Sequence, residues 1–325
     1  MSTPYHTGMS LSRVSAFEVW PYYLVFDTSH SMGDRSIYPD FRDELPIDMM
    51  QRYVEEIVGF LECPPEQFGK KLRSYRDTFG QEPTVPVGDV SRPMDMDDLC
   101  AVQARIYLSV LSFNSSVSIV RPLGPLDPYH PTGGITFTAS GETNYAAVFD
   151  TLRTLIPADA ERIRSTGSTF QTPAVIFFTD GKPQVDGQYQ WRRDAHITHF
   201  RWGVSWLHLQ EIGQGGTASG SSPKGLAPGI VSIGIGDADG DNLRALATPH
   251  HGGMALKAKA GAPINVLILR IMEGIVGSIA GTATGAVFRF PQLPEFEKLE
   301  GKLGMTWSRD AVAMPAVPPA KIERR

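Results

Sequence analysis

Two carboxylates and three hydroxyls in this chain stand where a sheet protein would gather them. The stretch Val25-Phe26-Asp27-Thr28-Ser29-His30-Ser31 follows the apolar run Tyr22-Tyr23-Leu24, so a buried strand ends in a carboxylate and then offers hydroxyls at two-residue steps. Asp180 stands at the end of the apolar run 174–178 in the same way, and Thr143 lies just before a segment at helical spacing. In an open α/β sheet, ligands bind outside the carboxyl ends of the strands, where such loops emerge. Carboxylates and hydroxyls without sulfur or imidazole are hard ligands, suited to Mg2+, Mn2+ or Ca2+ and not to zinc or copper. Taken singly, each residue also has a plainer use: Asp27 as a helix cap, Ser29 or Ser31 as an acceptor for backbone amides.

The elements that must position these residues are short apolar runs alternating with segments of helical period. Strands are predicted at 22–26, 105–113, 117–120, 174–178 and 230–235, with a weaker one at 254–256. Ile47, Met50, Val54, Ile57 and Leu61 recur at three or four residues and line one face of a helix. Asn114-Ser115-Ser116 joins two strand-like runs as a hairpin, which makes one strand antiparallel. The expected fold is α/β: a doubly wound, mostly parallel, Rossmann-like sheet with one antiparallel strand and helices on both faces. It occupies 20–282, after an extension at 1–19. The stretch 63–98, with five prolines, reads as an extended insertion, 213–225 as a flexible loop, and 283–325 as a loosely packed tail.

Composition narrows the function classes. The 325 residues are 42% hydrophobic, enough for a large core, and the net charge of -5 comes without a lysine or arginine run. Neither nucleic acid nor an anionic membrane is an expected partner. Cys63 and Cys100 belong to no CxxC pair and read as free structural thiols. The first residues lack the basic start and apolar core of a signal peptide. The most apolar late stretch, 266–280, is broken by Arg270 and Glu273 and reads as a buried helix, not a membrane span. A cytoplasmic location is expected.

Together the motifs resemble a von Willebrand factor A (vWA) domain with a complete metal-ion-dependent adhesion site (MIDAS). The family's Asp-x-Ser-x-Ser element matches Asp27, Ser29 and Ser31, its distant threonine matches Thr143, and its Thr-Asp-Gly element matches Thr179-Asp180-Gly181. Gly234-Ile235-Gly236 matches the family's glycine-rich strand end. The resemblance implies five metal ligands, Asp27, Ser29, Ser31, Thr143 and Asp180, around Mg2+ or else Mn2+ or Ca2+. It further implies that an Asp or Glu of a partner protein completes the coordination, and that the chain is not an enzyme. Among intracellular relatives it looks most similar to bacterial TerY-like proteins of tellurite-resistance and stress-response systems, which accompany kinases and phosphatases. An alternative is a vWA subunit partnering an AAA+ ATPase in complex remodelling or metal insertion. The enzyme alternative, a Mg2+-dependent phosphohydrolase, would need an acid where Ser29 stands.

Other polar residues carry weaker readings. His30 is expected to point away from the ligand oxygens. Asp34 could serve a second metal, but Arg35 follows where another acid is needed. Asp241 is expected to cap a helix at 242–247, and Glu142 either reaches the metal through water or faces solvent. His196 and His199, His250 and His251 lack a third ligand, and Trp191, Trp202 and Trp206 read as a packing edge.

Overall fold

The computed structural model describes residues 17–34, 45–64, 66–70, 84–87, 90–93, 96–127, 134–180, 182–190, 197–212, 226–235, 238–248, 253–258, 275 and 296–298. In chain order these form β1 (Glu18–Asp27), a 3-10 turn (His30–Gly33), α1 (Pro46–Leu61), β2 (Thr84–Val87), β3 (Val90–Pro93), α2 (Met96–Arg105), β4 (Ile106–Phe113) and β5 (Val117–Pro125). There follow α3 (Tyr145–Ser165), β6 (Thr169–Phe170), β7 (Ala174–Thr179), β8 (Gln184–Val185), β9 (Gln188–Tyr189), a 3-10 turn (Ile197–His199), α4 (Arg201–Gln210), β10 (Gly229–Gly234), α5 (Gly240–Leu246), β11 (Ala255–Ala258) and β12 (Phe296–Lys298).

The main sheet runs β12-β11-β10-β7-β1-β4-β5, with β6 paired to the start of β1. All pairings from β11 to β4 are parallel, and β5 lies antiparallel on β4, as the Asn114-Ser115-Ser116 hairpin predicts. A second antiparallel strand, β12 on β11, arises from residues read as tail. The stretch 63–98 is likewise not simply extended: it carries helical backbone at 66–70, the β2–β3 hairpin and the start of α2. The extension 1–16, the loop 213–225, Arg35, Trp191, His196, Gly236, Asp237, His250 and His251 lie outside the described residues, as do the helix at 266–280 except Ile275 and the tail except β12.

Strand alternation divides the core. Tyr22, Leu24 and Phe26 face one side, where Met50, Val54, Ile57 and Leu61 of α1 cover them. Tyr23 and Val25 face the other, against Val148, Phe149 and Leu152 of α3 and Trp202 and Trp206 of α4. Both faces of the central strands are buried, which is why they read as continuous apolar runs. Trp202 and Trp206 are core residues whose ring nitrogens donate to Gln190 O (2.7 Å) and Leu246 O (2.9 Å). Cys63 and Cys100 form no disulfide, and no helix among the described residues is long and apolar enough to cross a membrane.

The chain leaves β1 toward β4 and β5, then crosses back through α3 to β7 on the other side of β1. This reversal opens a crevice at the carboxyl ends of β1 and β7. On the α1 side, Phe26 and Phe178 support it from below, their rings stacked at 4.7 Å and 3°.

Past the end of α1, Glu62 pairs with Arg121 of β5 at 2.6 Å, with side chains only 1% and 10% exposed. Arg121→Ala would remove this guanidinium from a buried carboxylate. The expected loss is about 3–5 kcal/mol in urea denaturation; a loss near the ~0–1 kcal/mol of a surface pair would show that Glu62 is solvated.

Candidate functional site

Asp27 closes β1 and is wholly buried. The chain then turns sharply: Ser29 N–H donates to Asp27 Oδ1 (2.9 Å), and Ser29 stands at the start of the 3-10 turn without a side-chain capping bond. The turn brings Ser31 Oγ within 3.1 Å of Ser29 Oγ and sinks Met32 into the α1 side of the core. His30 is exposed, as expected.

Thr143 belongs to a loop pinned on two sides. Ser140 N–H donates to Thr28 O and His30 N–H to Gly141 O, both at 2.9 Å, which ties this loop to the one carrying the serines. On its other flank the β4–β5 turn holds it: Asn144 N–H donates to Asn114 O (3.0 Å) and Glu142 N–H to Ser115 Oγ (2.9 Å). Gly141 has φ +68°, and a Cβ there would lie 2.7 Å from Ser115 Oγ, so only glycine fits the approach. Thr143 is 3% exposed, and no described group hydrogen-bonds its hydroxyl.

Asp180 follows β7, is wholly buried, and accepts from Lys182 N–H at Oδ1 (3.2 Å). The preceding residue, Thr179, donates to Asp27 Oδ2 (2.7 Å). A hydroxyl has one proton to give. The 2.7 Å contact between Thr179 Oγ1 and the wholly buried Tyr145 phenol therefore has Tyr145 as donor, so a directed chain runs from α3 to Asp27. Burial pushes the Asp27 carboxyl up to about 7, with the charge of Asp180 adding to the effect and the hydrogen bonds from Ser29 and Thr179 opposing it.

The structure thus gathers Asp27, Ser29, Ser31, Thr143 and Asp180 on three adjoining loops at the crevice. Their donors are all hard oxygens, and among the described residues no three His, Cys, Asp or Glu side chains cluster as a competing metal centre. Such a set is suited to a hard divalent cation, which would relieve the repulsion between the two buried carboxylates.

Three details depart from the sequence reading. Asp239, not Asp241, caps α5, accepting from Asp241 N–H (2.9 Å) and Asn242 N–H (3.2 Å); Asp241 pairs with Arg244 instead. Glu142 does not simply face solvent: its carboxylate accepts Asp186 N–H and Gly187 N–H, both at 2.6 Å. Those two residues, at φ +53° and +71°, turn the β8–β9 hairpin, a structure the Asp-Gly pair in Val185-Asp186-Gly187-Gln188 signals in sequence. The hairpin brings Tyr189, 47% exposed, close enough that partial burial and the charges of Asp239 and Asp180 raise its phenol above the ordinary range.

No protein-family model matches the chain, and no curated protein does. Among solved structures it is similar to a von Willebrand factor type A protein from Catenulispora acidiphila, at 12% identity and TM-score 0.45, over 81% of this chain and 43% of that one. It is similar to the vWF domain of the type V pili tip protein Mfa5 from Porphyromonas gingivalis, at 10% identity and TM-score 0.45, over 85% and 98%. It is also similar to the ArnB paralog VWA2 from Sulfolobus acidocaldarius, at 14% identity and TM-score 0.33, over 80% and 46%. The chain spans less than half the length of the Catenulispora protein, and 49% of a mussel byssus matrix protein, PTMP1. Likenesses at this level bear on neither ligand nor partner.

Because the folded Asp27 carboxyl titrates above the ordinary value, protonation favours the folded, ion-free protein. That contribution is whole below pH ~4 and lost as pH rises through about 7. In EDTA, Asp27→Asn is expected to flatten the fall in Tm of the parent between pH 5 and pH 8; parallel curves would show that Asp27 is not the titrating group.

Proposed function

We propose that the chain is a non-catalytic interaction module of the cytoplasm that binds Mg2+, or Mn2+ or Ca2+ in its place, through Asp27, Ser29, Ser31, Thr143 and Asp180, and captures through it an Asp or Glu of a partner protein. The observation that carries this reading is the pair of wholly buried carboxylates, Asp27 and Asp180, at the ends of neighbouring strands at the switch point of the sheet. The ion would neutralise the pair and leave a coordination position for the partner's carboxylate.

The chain's own residues do the positioning. Ser29 N–H and the Thr179 hydroxyl each engage one oxygen of Asp27, which fixes the carboxylate plane and leaves a lone pair on each oxygen. The backbone bonds between the Thr28, His30, Ser140 and Gly141 positions hold the hydroxyl loops in place before any ligand arrives, so little ordering entropy is lost on binding. Apolar packing from Phe26, Phe177 and Phe178 lies beneath the carboxylates and lowers the local dielectric, which strengthens ligation of a partner carboxylate relative to open water. A hydrolytic role is disfavoured by Ser29, since a serine hydroxyl two residues beyond the aspartate cannot act as a general acid near neutral pH.

Calorimetric titration with Mg2+ tests the reading. Asp27→Ala is expected to abolish the binding heat while the circular dichroism spectrum is kept; binding equal to the parent's would remove the site. Tyr145→Phe, which cuts the chain of hydrogen bonds one step from Asp27, is expected to weaken Mg2+ about fivefold, the equivalent of about 1 kcal/mol. Unchanged affinity would show that Thr179 holds its proton on Asp27 unaided.

A further inference from the structure

Thr143 is bonded to an element that contributes no ligand. The β8–β9 hairpin is two residue pairs long, with Gln184 opposite Tyr189 and Val185 opposite Gln188. None of its residues from 184 to 189 is buried, so burial of its own side chains does not hold it in place. A lone two-stranded hairpin is marginal in water, and this one carries a non-glycine residue, Asp186, at positive φ (+53°).

Two consecutive residues of the loop before α3 grip the hairpin at opposite ends. At its tip, the Glu142 carboxylate accepts the turn amides of Asp186 and Gly187, one on each oxygen, both at 2.6 Å. At its base, Gln184 N–H donates to Thr143 O at 3.0 Å. Two further bonds, Gln190 N–H on Pro183 O (2.8 Å) and Trp202 Nε1–H on Gln190 O (2.7 Å), hold the base and not the tip. Glu142 is itself anchored, because its own N–H donates to Ser115 Oγ (2.9 Å) in the β4–β5 turn. A carboxylate that accepts amides holds them about twice as strongly as a neutral acceptor does. The Thr143 hydroxyl, by contrast, is bonded by no described group, so its place follows from the backbone on either side of it.

We propose that Glu142 is a positioning residue of the metal site: by gripping the β8–β9 turn through its carboxylate, it fixes the hairpin against the Thr143 carbonyl and so fixes where the Thr143 hydroxyl stands. The inference rests on the metal binding proposed above. Linkage makes the coupling reciprocal: whatever the hairpin's order adds to the affinity for the ion, the bound ion adds to the order of the hairpin. The exposed hairpin lies one hydrogen bond from a metal ligand, so a partner segment that steadied it would tighten the ion by the same route.

The full chain is compared with its Glu142→Gln, Gly187→Pro and Asp186→Asn variants. Each is titrated with Mg2+ by calorimetry, and amide exchange at 186 and 187 is followed by nuclear magnetic resonance in Mg2+ and in EDTA. Glu142→Gln keeps the size of the side chain but sets an NH2 group against one turn amide; it is expected to weaken Mg2+ about fivefold, the scale of one hydrogen bond. Gly187→Pro removes a turn amide and forbids the positive φ (+71°), and should weaken Mg2+ at least as much with no change of charge. Asp186→Asn removes the same charge as Glu142→Gln but keeps the turn amide and tolerates its backbone conformation, and should bind Mg2+ as the parent does. In the parent, Mg2+ should slow exchange at 186 and 187; in Glu142→Gln that response should vanish, which a purely structural role would not produce. Unchanged Mg2+ affinity in Glu142→Gln or Gly187→Pro, an equal loss in Asp186→Asn, or parent amides indifferent to Mg2+ overturns the positioning role alone. Absence of Mg2+ binding by the parent overturns the metal reading and this role with it.

Discussion

Asp27 and Asp180 carry their carboxyl groups into the protein interior, close enough for the charge of one to resist ionisation of the other. Like charges in a low-dielectric pocket repel strongly, and each ionised group forgoes hydration worth several kcal/mol. A protein can tolerate that only where neighbouring donors are fixed in advance. The surroundings of Asp27 meet this condition: an amide from Ser29 on one oxygen, a hydroxyl from Thr179 on the other, and a phenol behind the hydroxyl. The architecture of the crevice follows from keeping these donors still.

The rigidity comes from loops that hold one another. The loop after β1, the loop before α3 and the β4–β5 turn exchange backbone hydrogen bonds at 2.7–3.0 Å, with Thr28 doubly bonded to Phe113 O through its N–H and hydroxyl. Each loop would be a poor platform alone. Linked, they form a small layer of non-sheet backbone whose loops bond one another, as buried loops require. Glu142 extends the layer to the β8–β9 hairpin, and Trp202 ties the chain just beyond that hairpin to α4.

Much of this was legible in the sequence because the central strands are buried on both faces. Their runs of Val, Ile, Leu and Phe admit few other readings, and Asp27 and Asp180 stand out as acids at the ends of such runs. Strand ends were harder. β5 runs on through Arg121 and Pro122, whose types argue against a strand, because Ser109 Oγ donates to Arg121 O and Glu62 neutralises its guanidinium. β12 was invisible, since three residues in a proline-rich stretch become a strand only when β11 offers an edge. Asp239 and Asp241 both suit a helix start, and backbone geometry decided between them. The role of Glu142 depends on a hairpin more than forty residues away, a separation across which one sequence shows no pattern.

Phe26 pairs in register with Phe178, so Asp27 emerges beside Thr179, and the separation of the two carboxylate loops is set by the spacing of neighbouring strands, ~4.8 Å. The sheet therefore acts as a ruler. A one-residue slip of β1 would carry Asp27 to the α1 face and exchange the faces of every core residue of the strand, so no partial version of the crevice exists at small energetic cost. The amides at the paired ends of β1 and β7 then exchange with solvent by the same cooperative opening as the central strands. A protease would then meet the two strand ends paired or the sheet opened as a whole.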